Sequence, residues 1–125
     1  MAHEYPFYLA GRWEGSSHPL AVTNPYDDSP VAATWLAGEP EVERATAAAV
    51  EAAAVMRQLP LYRRAEILTQ ASAVLTRRRD EIGRALAGEA GKPIRDALTE
   101  VDRAAATFHV ASEEARRLGG EVIPL

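Results

Sequence analysis

Three successive amphipathic patterns with helical spacing occupy residues 39–119, and they limit the possible fold more than any other feature of the chain. In the second pattern, apolar residues recur at steps of three and four between Leu61 and Leu86, which is the period of one helix face. Pro60 precedes this pattern and Gly91 follows it, as expected of residues that open and close a helix. The three predicted helices begin near Pro40, Leu61 and Ile94.

Residues 1–38 differ in composition from this helical region, because they hold both tryptophans and half of the prolines. Short strands are predicted at 7–10, 20–23 and 31–36, separated by turns that are rich in Gly, Asn, Asp and Pro. The expected fold is mainly α with a short N-terminal β region. It divides into strands and turns over 1–38 and a three-helix segment over 39–125.

The composition excludes several classes of function. The 125-residue chain has a formal net charge of -4, which argues against nucleic-acid binding through a basic surface. It contains no cysteine, so these residues supply no disulfide, no thiolate metal ligand and no cysteine nucleophile. No apolar stretch approaches the roughly 18 residues of a membrane span, and a cytoplasmic protein without a membrane partner is expected.

Two motifs that contain basic residues have local explanations. Gly91-Lys92 lacks the earlier glycine and the following Ser or Thr of a phosphate-binding loop, so a joint between two helices is expected. The run Arg77-Arg78-Arg79 is followed by two acidic residues, which favours a solvated helix face with local ion pairs over a DNA-binding site. Only Arg79 lies on the apolar stripe of its helix, where its stem can pack.

The remaining polar residues form no recognisable catalytic or metal-binding set. The three histidines have no metal-ligand spacing, and His109 follows Phe108 on a predicted helix, as a structural histidine would. Asp27-Asp28 lies in a turn, where aspartate side chains bond to nearby backbone. We predict no catalytic, cofactor-binding or metal-binding residue in this chain.

Five short motifs follow one another in an order and spacing typical of one enzyme family. In chain order they are Leu9–Trp13, Asn24–Asp27, Arg63–Leu68, Gly91–Pro93 and Gly120–Pro124. Together they resemble the N-terminal segment of the NAD(P)-dependent aldehyde dehydrogenase superfamily. The resemblance covers nearly the whole chain and implies one incomplete N-terminal part of an α/β cofactor-binding domain.

Three further segments resemble one clade of that superfamily, the lactaldehyde, phosphonoacetaldehyde and non-phosphorylating glyceraldehyde-3-phosphate dehydrogenases. These segments are Gly91–Ile94, Glu100–Ala104 and Ala111–Ala115. The resemblance implies that Arg103 points into a substrate funnel and binds the anionic end of the aldehyde. The planar fork of a guanidinium suits that role. The local alternative is that Arg103 pairs with Glu100, three residues earlier on the same helix.

The resemblance also implies a reaction and its partners. The family oxidises a small aldehyde to its acid with NAD or NADP, through a cysteine thiolate and a glutamate-activated water that both lie beyond residue 125. This chain alone is therefore expected to be inactive and to bind no cofactor. Its expected partners are the rest of the dehydrogenase chain, a small aldehyde substrate (anionic aldehydes are among the candidates), and further copies of the enzyme in a homo-oligomer. The alternative is a free-standing helical interaction or oligomerisation module.

Overall fold

The computed structural model describes residues 3–120, and these residues form five short strands followed by four helices. The mainly helical fold with a short N-terminal β region is confirmed. The predicted extended segment at 121–125 lies outside the described residues. The elements are β1 (His3–Glu4), β2 (Phe7–Leu9), β3 (Arg12–Glu14), β4 (Pro19–Thr23), β5 (Pro30–Trp35), α1 (Glu39–Gln58), α2 (Leu61–Arg77), α3 (Arg79–Ala90) and α4 (Ile94–Arg117).

The strands form two small sheets. β5 is the central strand of a three-stranded sheet, with β1 parallel on one side and β4 antiparallel on the other. β2 and β3 form an antiparallel hairpin in which Tyr8 lies opposite Trp13. The turn between them contains Ala10 at φ 48° and Gly11 at φ 88°. Gly11 suits this turn, because glycine adopts positive φ without a steric cost.

The first helix, which is predicted to begin near Pro40, begins at Glu39. Gly38 precedes α1, and its backbone N–H donates to Oε2 of Glu41 at 2.8 Å. This bond satisfies an N–H group that the helix itself leaves without a partner, as in a capping box. No residue of α1 is buried among the described residues. Its apolar stripe is open within the described residues, and its many alanines predict that this helix is tightly covered in its native context.

The prediction of three helices is wrong at one point, because the predicted second helix is divided into α2 and α3 at Arg78. Arg78 has φ -97° and ψ 17°, outside the helical range, yet its N–H still donates to the Val74 carbonyl. Neither glycine nor proline marks this break in the sequence. The contacts of α3 with α4, at Arg79 and Gly83, provide a tertiary reason for a change of direction that periodicity does not encode.

Helices α2 and α4 form the main helix pair of the described residues, and the buried positions lie mostly on them. The fully or nearly buried residues of this pair are Ala65, Ala97, Val101, Ser112 and Ala115. Small side chains at these positions let the helix backbones approach closely. The Ser72 hydroxyl donates to the Ala105 carbonyl at 2.8 Å and links α2 to α4 by a hydrogen bond.

The chain divides into two compact units. One contains the strands, α1 and residues 86–91, and the other contains residues 59–85 and the chain from residue 92 onward. In the second unit, Gly83 of α3 is buried against Leu98 of α4, whose Cδ2 atom would lie 2.6 Å from an added Cβ. A residue with a Cβ at this position would therefore require the Leu98 side chain to shift.

Candidate functional site

Arg103 lies near the middle of α4, on the exposed side of that helix. Its backbone carbonyl accepts a hydrogen bond from the Thr107 hydroxyl at 2.9 Å. Within residues 3–120, its guanidinium group forms no hydrogen bond and no ion pair. An exposed guanidinium without a partner retains its full set of donors for an anion.

Glu100 does not pair with Arg103, although three residues of helix separate them. Its Oε1 atom lies 2.6 Å from Nζ of Lys92, which comes from the joint between α3 and α4. The structure therefore does not contain the ion pair between Glu100 and Arg103 that their spacing on one helix offers as the local alternative. The competing carboxylate is engaged by a lysine eight residues earlier in the chain.

Asp102, the immediate neighbour of Arg103, is held by a residue from another helix. Arg79 donates from Nε to Oδ1 at 2.6 Å and from Nη2 to Oδ2 at 2.7 Å, a two-point contact between guanidinium and carboxylate. These hydrogen bonds are the main reason that the pKa of Asp102 lies below its ordinary value of 3.8. They also raise the pKa of Arg79.

The arginine run forms the ion pairs that the sequence predicts. Arg78 makes a two-point contact with Glu81 in the first turn of α3, and this contact lowers the pKa of Glu81. Arg79 contacts Asp80 at 3.5 Å in addition to Asp102. Two of the three arginines thus carry carboxylate partners, as expected for a solvated face.

Gly91 belongs to a helix joint and has the geometry of one. It adopts φ +63°, and an added Cβ would lie 2.6 Å from Cγ of Pro25. In a phosphate-binding loop, the open side of the glycine faces the ligand, whereas here it faces a proline ring. The surroundings of Gly91 therefore fit a helix joint, because Pro25 fills the space that a phosphate would take in such a loop.

His3, His18 and the aspartate turn contact residues close to them in the chain. Asp27 accepts hydrogen bonds from the backbone and the hydroxyl of Ser29, and these bonds hold its pKa below 3.8. The ring of His3 lies 4.9 Å from that of Tyr5, centroid to centroid, and His18 contacts the Ser17 hydroxyl. Across residues 3–120, no group of three His, Cys, Asp or Glu side chains could hold a metal ion.

Sequence reasoning missed both ion pairs that flank Arg103. The position of Arg79 on an apolar stripe was the available signal for its contact with Asp102, because a charged residue facing a neighbouring helix needs an acidic partner there. No comparable signal indicates the contact between Lys92 and Glu100, which crosses a helix joint.

Within the part of the chain that the structure describes, no helix is long and apolar enough to cross a membrane.

Residues 13–125 match the model of the aldehyde dehydrogenase family. The chain belongs to this family, as its ordered motifs predict. It is 36% identical over 122 residues to 3-sulfolactaldehyde dehydrogenase from Priestia megaterium, covering 98% of this chain and 25% of that protein. It is 32% identical over 119 residues to NADP-dependent glyceraldehyde-3-phosphate dehydrogenase from Pisum sativum, covering 94% of this chain and 24% of that protein.

Solved structures of the family share the fold. Aldehyde dehydrogenase 21 from Physcomitrella patens, crystallised with the reaction product succinate, superposes with a TM-score of 0.93 and 38% sequence identity. That superposition covers 100% of this chain and 26% of the other. The chain therefore spans about a quarter of the length of the relatives that it matches.

Proposed function

We propose that this chain is the N-terminal part of an NAD(P)-dependent aldehyde dehydrogenase that oxidises a small aldehyde to its acid. The observation that carries the proposal is the family match over 13–125, combined with coverage of only about 25% of a relative's length. In the full-length enzyme, these residues supply scaffold for the cofactor-binding domain and one wall of the substrate entrance.

The open surface of α1 supports a partner in the rest of the enzyme. Val42, Val50 and Val55 are 57%, 69% and 64% exposed, although each is apolar and all lie on one helix. Val55 also lines a depression of about 500 Å³, together with Ala48, Glu51, Ala52 and the hairpin turn. Exposed apolar side chains on one helix support an interaction surface there. In our proposal, the remainder of the dehydrogenase chain covers it.

The chemistry in this proposal depends on groups outside the chain. NAD or NADP accepts the hydride in the full-length enzyme, and we propose that residues outside this chain bind it. Because the chain has no cysteine, a thiolate nucleophile must come from another part of the protein. Alkylation of the thiols of the full-length protein with iodoacetamide should therefore abolish aldehyde oxidation, and residues 1–125 should contain no alkylated thiol. Undiminished oxidation after complete alkylation would contradict the proposed mechanism.

A free-standing interaction or oligomerisation module is the second candidate, and the exposed valines of α1 favour it as well. Sedimentation of the 125-residue chain, with and without the remainder of the protein added, separates the two. A one-to-one complex with the remainder supports the dehydrogenase. Self-association that the remainder does not disturb supports the module. We further propose that the full-length enzyme is cytoplasmic and forms a homo-oligomer. Sedimentation of the full-length protein tests its oligomeric state.

We propose that Arg103 binds the anionic end of the substrate. Its guanidinium is exposed and has no partner among residues 3–120. The two acidic residues of α4 that are nearest to it in sequence, Glu100 and Asp102, are both engaged in ion pairs. The relatives' names add chemical support. 3-Sulfolactaldehyde carries a sulfonate, glyceraldehyde 3-phosphate carries a phosphate, and succinate has a carboxylate beyond the one formed by oxidation.

Substitution of Arg103 in the full-length enzyme tests this role. Arg103→Leu should raise KM for anionic aldehydes about tenfold or more, since charge-assisted hydrogen bonds to a substrate anion are lost. KM for a neutral aldehyde of similar size should change little. Equal changes for both substrates would reject the anion-binding role.

A further inference from the structure

Lys92 lies just before the start of α4 and forms an ion pair with Glu100 of that helix. It directly precedes Pro93, the N-cap of α4, and its Nζ lies 2.6 Å from Oε1 of Glu100. The lysine side chain is 28% exposed and the glutamate side chain is 49% exposed, so the lysine is the more enclosed partner. Its ammonium group holds a carboxylate two turns into the helix.

Glu100 would otherwise be placed to pair with Arg103. A glutamate three residues before an arginine forms an ion pair at two other places in this chain. Glu41 contacts Arg44 at 3.7 Å in α1, and Glu114 contacts Arg117 at 2.9 Å in α4. Since side chains three residues apart lie on the same helix face, the same contact is accessible to Glu100 and Arg103.

We infer that Lys92 is a positioning residue for substrate specificity, because it keeps Glu100 away from Arg103 and leaves the guanidinium free for an anionic substrate group. This inference rests on the proposed function of Arg103. Loss of Lys92 would release a carboxylate that neutralises Arg103 and also repels the incoming anion. The lysine thus acts on anionic substrates through Glu100, without contact to the reacting atoms.

The inference can be tested with variants of the full-length enzyme. Lys92→Met keeps the apolar stem and removes the charge, so Glu100 becomes free to pair with Arg103. KM for an anionic aldehyde should rise about two- to fivefold, the range that an exposed ion pair supports. KM for a neutral aldehyde should stay unchanged, which also reports that the variant is folded.

The matched variants are Glu100→Gln and the double variant Lys92→Met/Glu100→Gln. A glutamine cannot neutralise Arg103, so Glu100→Gln alone should leave KM for the anionic aldehyde unchanged or lower it. The double variant should restore the wild-type KM, because the competing carboxylate is absent. A double variant that remains as impaired as Lys92→Met would overturn the inference, since Lys92 would then act on the anion itself.

A parallel Arg103→Leu variant separates failure of this inference from failure of the proposed function. If Arg103→Leu impairs anionic substrates selectively and Lys92→Met does not, Arg103 binds the anion and the role of Lys92 is wrong. If Arg103→Leu has no selective effect, the proposed function of Arg103 falls and the role of Lys92 falls with it.

Discussion

Arg79 and Asp102 join α3 to α4 by two parallel hydrogen bonds, from Nε to Oδ1 at 2.6 Å and from Nη2 to Oδ2 at 2.7 Å. The carboxylate precedes Arg103 by one residue. The contact therefore fixes α4 at the turn that presents the candidate substrate-binding arginine. It also removes Asp102 as a competitor for the Arg103 guanidinium.

The contribution of this pair to stability should depend on pH. Because the fold lowers the pKa of Asp102, the pair's stabilisation is fully present above the ordinary value of 3.8 and is lost as pH falls through the lower folded value. Asp102→Asn should therefore lower Tm at pH 7. The difference in Tm from wild type should shrink as the pH falls below the pKa of Asp102 in the folded protein. Calorimetric scans of both proteins across this pH range measure the effect.

Glu114→Gln is the matched control for that prediction. Glu114 pairs with Arg117 inside a single helix, at an exposed position near the end of α4. Its loss breaks no contact between helices, so Tm at pH 7 should fall less than in Asp102→Asn. An equal fall in both variants would mean that the contact between α3 and α4 has no special role.

Gly91→Ala should destabilise the chain by about 2 kcal/mol or more. The left-handed backbone at φ +63° costs a residue with a Cβ about 1–2 kcal/mol, and the added methyl would meet the Pro25 ring at 2.6 Å. Urea unfolding of the 125-residue chain measures the change. Gly120→Ala is the control, because an added Cβ there meets nothing within 4 Å. The double variant Pro25→Ala/Gly91→Ala should recover only the part of the lost unfolding free energy that comes from the contact with the Pro25 ring.

Two glycines of α3 should respond to alanine with opposite signs. At Gly88, an added Cβ lies 3.8 Å from Val31, an ordinary contact, so Gly88→Ala should stabilise by about 0.5–1 kcal/mol through helix propensity. At Gly83, Cδ2 of Leu98 is only 2.6 Å from an added Cβ. Overpacking costs about 1–3 kcal/mol and should exceed the propensity gain, so Gly83→Ala should destabilise. Stabilisation by both changes would contradict the close approach of α3 to α4.

Ser72→Ala should cost about 1 kcal/mol, because it removes the hydroxyl that donates to the Ala105 carbonyl on α4 at 2.8 Å. Ser112→Ala provides a comparison within the same helix pair. Ser112 is fully buried, but its hydroxyl donates at 2.7 Å to His109 of its own helix, so its removal breaks no link between helices. Chemical denaturation should show a smaller loss for Ser112→Ala.

The parts of the fold that the sequence predicts depend on local signals. Pro60 and Pro93 mark the starts of α2 and α4, because proline suits the first turn of a helix. Gly91 predicts the joint before α4. The break at Arg78 and the two-residue strand β1 have no such signals, since each depends on partners that are distant in the chain.

The same distinction applies to the candidate site. Arg103 was identified by resemblance to a family, and its local alternative, Glu100, by the spacing rule for one helix. In our inference, the choice between them depends on Lys92, whose Nζ lies 2.6 Å from Oε1 of Glu100 across a helix joint. A rule that considers residues of a single helix cannot include that third residue.

The most direct test of the central claim is the rate of nicotinamide reduction with a small anionic aldehyde. Three samples are compared at equal molar concentration: the full-length protein, the 125-residue chain and the protein without residues 1–125. We expect reduction of NAD or NADP by the full-length protein only. Turnover by the 125-residue chain alone would contradict this expectation.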